Sequence, residues 1–160
     1  NVSYRFMPEY FCLEDIAAGC ARSLTGDCGV QALLFMALCR VSAIPARWES
    51  GWMARPDFCS SHDWAMFYAR PFGWLYADPS FGGAAFREGC EARRQFYFGN
   101  VDPWRMAANS AFQADFPVPW PGWRRDPYDN QSGEVTVDGV GLRSDQLESA
   151  KEVLEAEEIL

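Results

Sequence analysis

The stretch from Gly26 to Pro45 constrains this chain more than any other. Thr25-Gly26 breaks whatever precedes it, residues 28–42 read as a helix with apolar residues on nearly every side, and Ile44-Pro45 ends that helix. A helix of this kind belongs in a core and must be wrapped by the rest of the chain. Upstream, residues 13–24 read as a short helix, with Leu13, Ile16, Ala17 and Cys20 spaced at three and four. Downstream, residues 46–53, 62–69 and 73–78 read as strands, with a loop at 54–61 and a tight connection at Arg70-Pro71-Phe72. Helices followed by consecutive antiparallel strands make the fold class α+β.

Beyond Asp78 the signal is coarser. Residues 79–83 read as a turn and 88–98 as a helix. Four prolines between 115 and 133, together with Trp120 and Trp123, make that stretch irregular and aromatic-packed. Residues 134–142 read as a hairpin or edge strand. Ser144 caps an acidic helix over 145–160, whose apolar positions are expected to dock on the domain or on a partner. The chain is therefore one domain over 1–143 with an acidic helix, 144–160, attached to it. The first eleven residues are aromatic and extended, and the start without methionine or a signal-peptide pattern reads as a piece of something longer.

Composition narrows the function. An aromatic content of 16% in 160 residues supports a real core. A net charge of −8 argues against nucleic-acid partners. No run approaches the about 18 apolar residues of a membrane span. The six cysteines show no disulfide framework, and with one histidine and no C-x-x-C there is no zinc pattern. Free thiols in a reducing compartment, hence a cytoplasmic location without metal or cofactor, follow as the expectation.

Cys28 sits between Asp27 and Gly29, where the long helix begins. The unpaired N–H groups and dipole of a helix start favour an anion, and so a thiolate. The backbone there, with Gly29 beside it, can serve an oxyanion. A thiolate needs a base, and His62 is the only histidine. The histidine needs an acceptor to fix its tautomer. With a three-residue connection at 70–72, Asp78 lies opposite Trp64 and diagonal to His62 on one face of the hairpin. That separation is roughly 7–8 Å at the backbone, within side-chain reach.

The blocks GDCGVQALLFMALCRVSAIPARWESGW, HDWAMFY and GWLYADPSFG, within residues 20–83, resemble the core of the transglutaminase-like superfamily. This set includes bacterial cysteine proteases, transglutaminases and peptide N-glycanases. The resemblance implies a papain-like fold with the nucleophile helix packed on an antiparallel sheet. It implies Cys28 as nucleophile, His62 as general base and acid, Asp78 as the group orienting His62, and Trp64 packing beside the site. Two positions depart from the pattern. Asp63 replaces a small residue, and on a strand it points away from the His62 face. Arg22 stands where papain-like relatives carry an oxyanion glutamine, leaving an upstream aromatic such as Tyr10 or Tyr4 for that role.

The implied function is cysteine-dependent acyl transfer on amide bonds of a protein or peptide substrate, through a Cys-His-Asp triad and a thioester. Hydrolysis is preferred over cross-linking because nothing reads as an amine site. A non-catalytic binding module is the other class. Trp48, Trp52 and Phe58 near 54–61 line either a substrate groove or ordinary sheet packing.

Overall fold

A computed structural model describes residues 2–7 and 10–157. Asn1, Pro8, Glu9 and the last three residues of the expected C-terminal helix lie outside the described residues.

The N-terminal part is built on two helices. Strand β1 (Ser3–Tyr4) runs parallel to β2 (Thr25–Gly26), and between them helix α1 (Ile16–Ser23) brings Cys20 inward. Helix α2 (Cys28–Val41) starts where the apolar run begins. Its N-cap is Asp27, whose side chain accepts from Val30 N–H at 3.0 Å and from Met7 N–H at 3.2 Å. Gly29, Val30, Gln31, Ala32, Met36 and Cys39 are buried, but Leu38 is exposed and Val41 is 87% exposed. The helix is thus enclosed on one side and open at its far end, a division its uniform apolarity does not reveal.

The sheet has five strands, in the order β6-β5-β4-β3-β7, all antiparallel. Strands β3 (Ala46–Arg55) and β4 (Phe58–Ala69) form one long hairpin paired from Ala46–Phe67 to Arg55–Phe58. The loop expected at 54–61 is therefore strand, because the Pro56-Asp57 turn is tight enough to let both strands continue through it. Strand β5 (Gly73–Ala77) pairs with β4 in the register expected from the three-residue connection, Ala69 with Gly73 through Ala65 with Ala77.

The turn expected at 79–83 is instead helix α3 (Pro79–Arg87). Asp78 caps it by accepting from Phe81 N–H at 2.9 Å, and Pro79 occupies the first turn. Helix α4 (Glu91–Phe96) is shorter than the expected 88–98. Strands β6 (Phe98–Gly99) and β7 (Arg105–Asn109) complete the edges of the sheet. At Gly51, opposite His62, a Cβ would lie 2.0 Å from the Met106 carbonyl oxygen, so β7 approaches β3 only because the side chain is absent.

The core is the contact of α2 with one sheet face. Ala32, Met36 and Cys39 meet Ala46, Trp48, Ala65, Phe67 and Ala77. The irregular stretch packs on the same side, with Phe112 against Trp48 and Tyr128, and Tyr128 against Tyr10. A small hairpin follows, β8 (Thr136–Val137) with β9 (Val140–Gly141).

The expected acidic helix is corrected. Only Ser144–Gln146 form a single 3-10 turn, and 147–157 is not helical. Glu148 and Glu152 would stand one turn apart as like charges, and isolated helices of this length are marginal without a packed face. Among the described residues no helix is long and apolar enough to cross a membrane.

Candidate active site

Strand β4 presents alternate residues to opposite sheet faces. Ala65 and Phe67 face α2, and so does Asp63. His62 and Trp64 face the other side, where their rings stack with centroids 6.2 Å apart. The structure therefore brings His62 and Asp78 together and sets Cys28 against a different partner.

On the far face His62 Nε2 lies 2.7 Å from Asp78 Oδ2. Asp78 is fully enclosed and collects three further contacts. Arg105 Nη2 approaches Oδ2 at 2.9 Å, Ser80 Oγ donates to Oδ1 at 3.0 Å, and Phe81 N–H donates to the same oxygen. Burial alone pushes the Asp78 carboxyl up. The His62 charge and hydrogen bond and the Arg105 guanidinium outweigh that and hold it below the usual carboxylate range. Arg105 also pairs with Asp102 at 2.9 Å and lies 4.5 Å from the Phe81 ring centroid. Trp64 is buried beside His62 and donates Nε1–H to Glu49.

On the α2 face Cys28 heads the helix, half-buried, in a cavity of about 230 Å³. Its thiol donates to Asp63 Oδ2 at 3.4 Å. Asp63 Oδ1 accepts from Gln131 Nε2 at 3.0 Å, while Gln131 Oε1 accepts from the His62 backbone N–H at 3.3 Å. Burial first, then the charges of Asp63 and Asp27, push the Cys28 thiol well up. The expected thiolate is thus corrected. The helix start favours an anion, but burial and the Asp63 and Asp27 carboxyls outweigh its partial charges.

The cavity wall is acidic. Asp126 binds the backbone N–H groups of Asp129, Gln131 and Ser132, shaping the irregular stretch into the wall. Tyr10 donates to Asp129, and its hydroxyl is where a Cβ on Gly29 would collide. Tyr10 and Gly29 therefore both stand at Cys28, whereas Trp64 is on the opposite face. Tyr4 also lines the cavity.

Burial and the Asp126 charge raise the Asp129 carboxyl to about 7. A raised pKa means the folded state holds the proton longer, so this stabilisation is present below the unfolded value of about 3.9 and is lost as pH rises through about 7. Stability is expected to fall, on the order of a few kcal/mol, between pH 4.5 and 7.5. Urea midpoints at those two values measure it. Asp129→Asn, which keeps an acceptor for Tyr10, should flatten the difference, and an unchanged slope would refute the assignment.

The aromatic candidates divide. Trp48 is 1% exposed and belongs to the core, so its groove role is corrected to packing against α2 and Phe112. Phe58 is 57% exposed beside the β3–β4 turn and lines none of the cavities described here. Trp52 lines a cavity of about 700 Å³ with Cys59, Trp104 and Met106, and residues 151–157 of the same chain form its other wall.

Sequence reasoning missed Asp63 as a neighbour of Cys28, although its pointing away from His62 was legible. It also missed Gln131 and Arg105, for which no local pattern exists.

Residues 1–79 match the sequence profile of the transglutaminase-like superfamily, a span that includes Cys28, His62 and Asp78. Among solved structures, the periplasmic domain of TgpA from Pseudomonas aeruginosa aligns at 21% identity, with a TM-score of 0.43, over 59% of this chain and 36% of that one. The chain thus spans little more than a third of that structure's length. No curated protein matches the chain.

Proposed function

We propose, from the match of residues 1–79 to the transglutaminase-like superfamily, in general cysteine-dependent enzymes, that this chain performs acyl transfer on amide bonds with Cys28 as nucleophile. The observation that carries the reading is the enclosed His62–Asp78 pair, one residue along β4 from the group that holds the Cys28 thiol. With Nε2 engaged by Asp78, Nδ1 is the ring nitrogen left to take a proton. Cys28 and His62 face opposite sides of β4 here, so the reading requires a rearrangement of β4 that brings the imidazole to the thiol before the proton passes to His62.

The thiolate then attacks the amide carbonyl, and the C–N bond breaks as His62 returns the proton to the leaving amine. Water attacks the thioester with His62 as base, and Cys28 is regenerated with release of the acid. Backbone N–H groups at the start of α2, with the Tyr10 side of the cavity, are suited to the oxyanion. The substrate class is a protein or peptide. Hydrolysis is the preferred outcome, and an amine in place of water would give cross-linking. The reading of a reducing, cytoplasmic setting rests on six cysteines without a disulfide framework.

The test uses p-nitrophenyl acetate. The full chain is expected to release p-nitrophenol in a burst and to gain one acetyl group, located by peptide mass spectrometry at Cys28. Cys28→Ala should show neither. Acetylation spread over other cysteines, with no burst, would favour the binding-module alternative.

A further inference from the structure

Asp63 is the only charged side chain that bonds the Cys28 sulfur among the described residues. It is enclosed at the head of α2, where a Cβ on Gly29 would come within 2.9 Å of Oδ2. Its second oxygen is fixed by Gln131; burial and the charges of Asp129, Asp27 and Asp126 push the Asp63 carboxyl well up, and the hydrogen bond from the Cys28 thiol favours its ionised form. The ionisable groups that face the cavity are Asp27 from the cap of α2, Asp126, Asp129 and Arg125 from the irregular stretch, and Tyr4 and Tyr10 from the N-terminal segment. Arg125 is the one basic group among them, and its guanidinium donates to the carbonyls of Ser132 and Gly133 rather than to Asp63. Ionising Cys28 here would place a second negative charge in contact with the first, inside a small enclosed space.

We propose that Asp63 is a positioning residue that holds Cys28 as a neutral thiol, so that the nucleophile becomes reactive only when this bond is broken or Asp63 loses its charge. The inference rests on the reading of Cys28 as nucleophile and adds to it a resting state with a defined latch. The sheet pleat supports it. His62 and Asp63 are consecutive on β4 and face opposite sides, so a thiol bound to one is withheld from the other.

The experiment is the pH dependence of iodoacetamide alkylation at each cysteine, read by mass spectrometry on the full chain. Asp63→Asn removes the charge and keeps the shape. Labelling of Cys28 at pH 7 is expected to rise at least about tenfold, with the profile moving to lower pH by about one unit or more. Cys12 and Cys59 serve as internal references and should not change. Labelling that is unchanged or slower, with an unmoved profile, would overturn the proposal, and a slower rate would make Asp63 the base instead. Should D63N fail to fold by circular dichroism, Asp63→Ala is read by the same criteria. Adding His62→Ala to D63N separates the two readings. If the gain disappears, the released thiol pairs with His62. If it persists, the latch stands and the His62 role in the proposed function fails.

Discussion

His62→Ala is expected to slow acylation of Cys28 by about 10²–10⁴-fold, the range that a positioned general base supplies. His62 is the only histidine in the chain, and its environment is built to fix one tautomer. Asp78 takes the Nε2 side at 2.7 Å and is itself held by Arg105, Ser80 and the Phe81 N–H. That arrangement leaves Nδ1 with its lone pair. The substitution removes the imidazole and leaves Asp78 paired with Arg105, so the fold should survive. Burst kinetics with p-nitrophenyl acetate give the rate. A wild-type burst in the variant would mean that the His62–Asp78 pair is a structural element of the far sheet face.

Arg105→Met is expected to destabilise the chain by about 3–5 kcal/mol, the cost of removing one partner from an enclosed ion pair. The Arg105 side chain is 3% exposed and bridges Asp78 and Asp102 while stacking on Phe81. Methionine matches the stem but leaves the Asp78 carboxylate without its cation. Arg105→Lys should recover only part of the loss, because a point charge cannot span both carboxylates and stack on the ring. Urea denaturation measures both. A loss below about 1 kcal/mol for the methionine variant, the level of an exposed pair, would show that His62 and the hydrogen bonds alone satisfy Asp78. The Asp78 carboxyl is held low, so its stabilisation is present above the unfolded value of about 3.9 and is lost as pH falls below it. In the variant that acid-side loss should begin at higher pH.

Much of the site was legible because it depends on local rules. Asp27 before an apolar run is a cap, which puts Cys28 at the helix start. A three-residue connection sets the β4–β5 register, and the register makes His62 and Asp78 neighbours. The misses have equally plain causes. Pro79-Ser80-Phe81-Gly82-Gly83 looks like a turn, but Asp78 caps it and packing on α2 completes a helix. The acidic tail has helical propensity in sequence and no packed face to realise it. Arg105 has no motif, and only the edge position of β7 carries it onto Asp78.

The α+β order of elements, the place of Cys28 at the head of α2 and the pairing of His62 with Asp78 follow from capping, periodicity and turn length, which act over a few residues and are written in the sequence. Which face of β4 the helix covers follows from packing between distant segments. That choice put Asp63, Gln131 and an acidic wall beside the thiol, and Arg105 behind the imidazole. Alternation along a strand says that two residues face opposite ways; it takes the packing of α2 against Ala65 and Phe67 to say which of them meets Cys28.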